Sequence, residues 1–294
     1  MPSGYNTTAT LADSLDDIKD KARAVREYAN VMGKLVDMTR LPSNTGLKFD
    51  EIALSKLTAS NITELTDLEQ NPQQIVDTLF QVQPTQVGMS VFRTDLMLMR
   101  ISSKVAAQIG VLTENAMARK KDIDLIAAAQ TATTDLGTAN NAMNSALVSA
   151  AVSRIKGNTT EPWDGSVAVV MKTFHAKDIQ DEGVAGWGTY PTTGGSMTES
   201  FMRKGFEGPL FGASVYTDDN ISVDGSDDSI AVAFASGVGG ALVCVEGESA
   251  RRVVVRKENI GTGAEILYCT DSYGTGVRQQ AWIYAITADA SSPT

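Results

Sequence analysis

The 294-residue sequence holds one histidine, His175, and two cysteines, Cys244 and Cys269. That scarcity removes most metal and nucleophile chemistry at the outset. A Ser/His/Asp triad would have to use His175, yet there is no G-x-S-x-G elbow, and the residue follows the strand-like run VMKTFH. It reads as a strand-end histidine with a structural hydrogen bond. Each cysteine sits in an apolar stretch without a C-x-x-C partner and reads as a buried free thiol, and a zinc site has almost no ligands to draw on. The glycine clusters at Gly237–Gly240, Gly261–Gly263 and Gly274–Gly276 fit neither phosphate-binding pattern and open no helix, so they read as turns. Asp218, Asp219, Asn220, Asp224, Asp227 and Asp228 crowd one region without EF-hand spacing, as solvated turn carboxylates do. Carboxylates are too numerous in this acidic chain to single out a pair for acid–base work. No enzyme activity and no cofactor are expected.

Basic residues are in deficit, 25 against 35 acidic, for a formal net charge of -10. The chain as a whole is therefore not drawn to phosphate backbones or anionic lipid. No apolar run approaches the ~20 residues of a membrane span, so no membrane is expected. The first residues, MPSGYNTTATLADSLDD, are polar and acidic, unlike a secretory signal, and the expected compartment is a cytosol. A hydrophobic fraction of 43% is enough to fill one large or two modest cores.

What is present begins with periodicity. Leu11, Leu15, Ile18, Ala22, Val25, Tyr28, Met32, Leu35 and Met38 recur at steps of three and four, which predicts a helix ended by Pro42. Such a helix either packs on its own domain or docks on a neighbour; its lack of a hairpin partner favours the second reading. From Gly46 to Asp95 the period shortens. Leu47, Phe49, Ile52 and Leu54 read as a broken strand, Ile75–Phe80 and Val87–Phe92 as two more, and the polar Thr66–Gln74 with Pro72 as a loop tip. A sheet so poor in large apolar residues on one side is marginal alone.

Val105, Ile109, Leu112, Ala116, Ile123 and Ile126 predict a stiff alanine-rich helix over Ser102–Thr131, and Met143, Leu147, Ala151 and Ile155 a second from Asn141 to Lys156. Strands are predicted at Val167–Met171, Ala213–Thr217, Ser229–Phe234, Ala241–Val245, Arg252–Arg256, Glu265–Thr270 and Gln280–Thr287. Asp181–Gly195, with five glycines, reads as a long surface loop.

This order of parts resembles the major capsid protein of tailed phages, the Hong Kong 97-type shell fold. ITELTDLEQNPQQ looks like the tip of that family's extended loop and TQVGMSVFRTD like its returning strand. NAMARKKDIDLIAA looks like the spine helix. SVAVVMKTFHAKDIQDEG followed by GFEGPLFGASVYTDDNI is similar to the family's axial region, although Thr173, Phe174 and His175 stand where a histidine-proline is often seen.

The resemblance implies an α+β fold with an N-terminal arm (1–45), an extended hairpin loop (46–95), a spine helix (96–136), a mainly axial domain (137–250) and C-terminal strands of the axial and peripheral sheets (251–294). It implies a homo-oligomeric shell of pentamers and hexamers that encloses double-stranded DNA without sequence-specific contacts. Portal, scaffold and possibly cement proteins would be partners, and the chain would end in the virion after assembly in the host cytoplasm. Intersubunit contacts are expected from the loop tip, Thr66, Asp67, Leu68, Glu69, Gln70, Asn71 and Pro72. The arm would supply Leu11, Leu15, Ile18, Val25, Tyr28, Met32 and Leu35. Rival readings are an encapsulin-type compartment and, from another class, a carboxylate-dependent hydrolase.

Overall fold

The computed structural model describes residues 28, 30–42, 48–59, 61–62, 72–95, 103–187, 209–247, 251–258 and 263–293. They divide into two compact units, one drawing on Tyr28–Val87, Arg119–Ala250 and Asp271–Thr294, the other on Gly88–Ala118 and Arg251–Thr270.

The larger unit is organised around β5 (Val167–Met171), every residue of which is buried. Its VAVVM run has no polar face, as a strand covered on both sides requires. β5 pairs in parallel with β7 (Ala213–Thr217) and antiparallel with β8 (Asp228–Ala235); β12 (Ile283–Asp289) lies beyond β8 and β6 (Pro209–Leu210) beyond β7. The edge of β12 is not left open. Leu136 N–H donates to Ala285 O (2.9 Å) and Ala285 N–H to Thr134 O (3.0 Å), so an extended segment caps it. Helix α2 (Ser145–Lys156) buries Val148, Ala151, Val152 and Ile155 on this core, with Asn144 Oδ1 capping the Leu147 N–H and Gly157 ending it.

Helix α1 (Ser103–Ala129) gives its last residues to this unit, where Asp122, Leu125, Ile126 and Ala129 are buried and Ile123 is exposed. Ile126 lies on the expected stripe, but one turn earlier the buried position is Asp122 rather than Ile123. Asp181–Trp187, expected as loop, continues helix α3 (Thr173–Trp187). Asp219 Oδ1 caps its Thr173 N–H (3.1 Å), Ala176 and Ile179 are buried, and Lys177 pairs with Asp181 one turn on, which outweighs the glycines' low propensity. Gln280–Trp282 forms a 3-10 turn ahead of β12 rather than part of it, with the Trp282 indole donating to Glu161 O (2.7 Å) and packing on Trp163.

A second sheet in this unit corrects the N-terminal helix expectation. Met32–Lys34 is a 3-10 turn and Asp37–Arg40 is strand β1, parallel to β9 (Leu242–Glu246) in the register Asp37 to Val243. A helix through Met38 would satisfy the spacing, but β9 offers an open ladder, and Leu41 N–H extends the pairing to Glu246 O (2.8 Å). Tertiary hydrogen bonding overrides a local pattern. β9 pairs on its other side with the Tyr273–Val277 half of β11 (Ala264–Val277).

The two-stranded hairpin, β2 (Phe49–Leu54) with β3 (Asp77–Val82), rests on this sheet. β4 (Thr85–Thr94), expected as the hairpin's returning strand, pairs instead with β11. The seat is made by Gly274 and Gly276, which lie on one face of β11 and are strand residues rather than turns. A Cβ on Gly276 would fall 2.7 Å from Val82 Cγ2 and 3.0 Å from Phe80 Cζ, and one on Gly274 2.8 Å from Gln83 O. The missing side chains let Val82 and Phe80 sink against the strand beside Val243, Val245, Leu41 and Phe49.

In the smaller unit, β10 (Arg251–Lys257) pairs antiparallel with the Ala264–Thr270 half of β11, Val253 opposite Tyr268. Arg93 pairs with Glu265 (3.2 Å), Arg256 with Asp95 (3.0 Å), and Arg252 with Glu114. Its apolar interior among the described residues is small, led by Ala264, Leu267 and Cys269, while Phe92, Val111 and Val254 stand exposed. Cys269 is one of the expected buried free thiols, and Cys244, on β9, is the other. Burial pushes the Cys244 thiol up to about 11.

Gly276→Val should overpack the seat at a cost of about 1–3 kcal/mol, read as a lower melting temperature with the far-ultraviolet circular dichroism retained. An unchanged melt would mean that Val82 and Phe80 are not held there.

Candidate assembly surfaces

The hairpin has two faces set by the pleat. Phe49, Glu51 and Ala53 on β2 share one with Val82, Phe80 and Thr78 on β3; Asp50, Ile52 and Leu54 share the other with Gln81, Leu79 and Asp77. The first face is the one seated on β11. On the second, Ile52 (62% exposed), Leu54 (69%) and Leu79 (54%) face outward, with Ile52 directly opposite Leu79. Beyond the strands Leu57, Ile62, Ile75 and Val76 are exposed as well. The ladder is prolonged there by Ser55 N–H to Val76 O (2.8 Å), Val76 N–H to Ser55 Oγ (2.9 Å) and a mutual contact between Gln73 and the Thr58 backbone.

A contiguous row of large aliphatic side chains on a two-stranded ribbon is a surface with a missing cover. Covering Ile52, Leu54 and Leu79 would gain about 1–2 kcal/mol each.

The hairpin is fixed at its root by charge. Arg278 lies at the end of β11. Its Nε donates to Glu51 Oε2 (2.8 Å), its Nη2 to Asp37 Oδ2 (2.8 Å) and its Nη1 to Gly240 O (2.8 Å). Asp37 also accepts from the Gly239 N–H (3.1 Å), in a turn where Gly237 and Gly239 take positive φ. One guanidinium thus ties β2, β1 and the β8–β9 turn together, using the planar fork that lysine lacks.

Of the residues expected to contact neighbours, Thr66, Asp67, Leu68, Glu69, Gln70, Asn71, Leu11, Leu15, Ile18 and Val25 lie outside the described residues. Pro72 and Tyr28 are exposed. Met32 and Leu35 are buried in the chain's own core, so the arm reading does not hold for them. Ile52, Leu54 and Leu79 are exposed large aliphatic residues on the described part of the hairpin. The sequence signal was available in the alternation of Asp50, Ile52 and Leu54, read there only as a broken strand.

His175, Asp224 and Asp228 hold structural hydrogen bonds. His175 lies in the first turn of α3, fully buried, with Nε2 3.2 Å from Ala288 O and 3.1 Å from Ser229 Oγ; burial lowers its pKa. Asp224 accepts from the Ser226 and Asp228 N–H groups and Asp228 from the Asn140 N–H, as turn and capping carboxylates do. An open depression of about 420 Å³ between α1 and β11 contains Tyr273 and Asp124, but the Tyr273 hydroxyl is already donated to Asp124 (2.7 Å). Burial and that bond push the phenol well above its usual range.

No protein-family model matches the sequence, and no curated protein does. Solved phage capsid structures share this chain's fold, an α+β architecture of the Hong Kong 97 type. The chain is similar to the head structure of Helicobacter pylori bacteriophage KHP40 (TM-score 0.73, 12% identity, 99% of each chain covered). It is also similar to the acidic stable capsid structure of Helicobacter pylori bacteriophage KHP30 (0.72, 11%, 99% of this chain and 100% of that one). The capsid structure of the cyanophage P-SCSP1u aligns over 96% of this chain and 95% of its own (0.68, 12%).

The double substitution Ile52→Asp with Leu79→Asp should leave the melting temperature of the unassembled subunit nearly unchanged and abolish its association; assembly at wild-type yield would show that this face is not an interface. Arg278→Ala should cost roughly 3 kcal/mol, because it strands Asp37 in a mostly buried site, and a chemical denaturation midpoint within error of wild type would contradict the clamp.

Proposed function

We propose that this chain is a structural capsid protein that self-assembles through heterologous contacts into closed rings and then into an icosahedral shell around a double-stranded DNA genome. The observation that carries the reading is the uncovered Ile52, Leu54 and Leu79 face on a hairpin otherwise rigidly seated and clamped. A lone subunit forfeits the hydrophobic gain of that face, and identical subunits repeating one heterologous contact recover it at every position in a closed ring. The fold shared with phage capsid structures supports the same assignment.

In this reading β2 and β3 with the connection between them form the extended loop, α1 is the spine helix, and the units built on β5 and on β10 serve as axial and peripheral domains. Residues 1–30 form the arm, with Leu11, Leu15, Ile18, Val25 and Tyr28 meeting neighbouring subunits beside the loop tip at Thr66–Pro72. The net charge of -10 suits a wall that holds DNA without tight phosphate contacts. Portal, scaffold and cement proteins are the further partners it implies, with assembly in the host cytoplasm.

Expression of the chain, with a scaffold if one is required, should yield capsomers or closed particles by sedimentation and electron microscopy. Particles filled from a phage genome should contain DNA; particles that enclose an enzyme cargo instead would favour a protein compartment. A monodisperse monomer under all these conditions would refute the proposal.

A further inference from the structure

Asp122 on α1 is fully buried. Its Oδ1 accepts the backbone N–H groups of Val31 (3.1 Å) and Met32 (2.9 Å), and its Oδ2 accepts from Asn220 Nδ2 (2.8 Å). Asp218, in the turn after β7, is 2% exposed; its Oδ1 accepts the Asn220 N–H (2.9 Å), while Oδ2 is enclosed with no hydrogen-bond partner. Asn220 bridges the two carboxylates, its backbone N–H on Asp218 and its side-chain amide on Asp122. The other charged groups at the joint are Asp219, which caps α3 through Thr173, and Lys172, whose Nζ is directed to Ile221 O (3.1 Å) and lies 3.9 Å from Asp219.

An enclosed carboxylate oxygen without a hydrogen-bond partner, tied through one asparagine to a second buried carboxylate, favours the protonated, neutral form. We infer that the Asp218 carboxyl carries a proton in the folded chain and acts as a pH-operated latch, holding the 218–221 turn, and through Asn220 the Asp122 joint with the backbone at 31–32, against α1 while the proton is bound and loosening that turn when Asp218 ionises. The same turn anchors β5 and α3, since Asp218 N–H donates to Met171 O (2.9 Å), so opening would reach the centre of the larger unit. Burial first, and then the neighbouring Asp122 carboxylate, pushes the Asp218 carboxyl up to about 7. An unfolded aspartate titrates near ~4. With the folded value raised, the stabilisation from the bound proton is fully present below the unfolded value and is lost as pH rises through about 7.

Asp218→Asn places an amide donor where the carboxylic O–H would be and cannot ionise. In the full chain, the wild-type melting temperature should fall as pH is raised from about 4 to about 7 and level off above that, with faster amide deuterium exchange at 218–221 and at Met32 as neutrality is reached, and D218N should flatten both dependences. Infrared titration should reveal a protonated carboxylic acid band in the wild type at mildly acidic pH that disappears through neutrality and is missing from D218N. Should D218N fail to fold, the wild-type titration decides alone. A melt and exchange pattern indifferent to pH from about 4 to about 7, with no such band, would overturn the latch.

Discussion

The contact on which the rest of the structure depends is the seating of Phe80 and Val82 on Gly274 and Gly276 of β11. A two-stranded ribbon does not hold itself together in water. It becomes a firm projection here because one face is sunk into a strand that has surrendered two side chains to make room, and because Arg278 locks Glu51 and Asp37 at the base. The cost of that arrangement is geometric. Once one face is fixed, the pleat sends Ile52, Leu54 and Leu79 to the other, where they stand exposed among the described residues. Rigidity at the root and exposure along the outer face thus have a single cause, and together they suit a surface that docks without first having to be ordered.

The buried polar groups follow a related logic. Asp37, Asp122, His175, Asp218 and Asp228 are enclosed, and each lies where separate stretches of chain meet. Asp228 receives the N–H of Asn140, His175 meets Ala288 and Ser229, and Asp122 gathers residues 31, 32 and 220. Enclosed groups of this kind are expensive unless satisfied, so they fix which segments meet, a specificity that the alanine- and valine-rich core of small, interchangeable side chains cannot supply by itself.

Much of this was legible in the sequence. The apolar run at β5, the strands β7 and β8, the end of α2 at Lys156 and the alanine-rich α1 follow from local chemistry, and the order of parts pointed to the fold the structure has. The failures are tertiary. Asp37–Arg40 carries a helical spacing but is claimed by the open ladder of β9. Gly274 and Gly276 look like turn residues because glycine's usual role is conformational, whereas here it is spatial. Asp122 lies on a helix stripe where hydrophobic periodicity has no means of detecting a carboxylate satisfied by backbone ninety residues away. A polar tip is recognisable from composition, while an exposed aliphatic face becomes visible only once β2 is paired with β3 and one side is seen to be occupied.

A high-resolution electron cryomicroscopy reconstruction of assembled particles tests this account most directly. It should place Ile52, Leu54 and Leu79 of every subunit against apolar residues of a neighbouring copy, with the seat on Gly274 and Gly276 unchanged. Particles in which that face remains open to solvent, or in which the hairpin has left its seat to make its contacts, would contradict it.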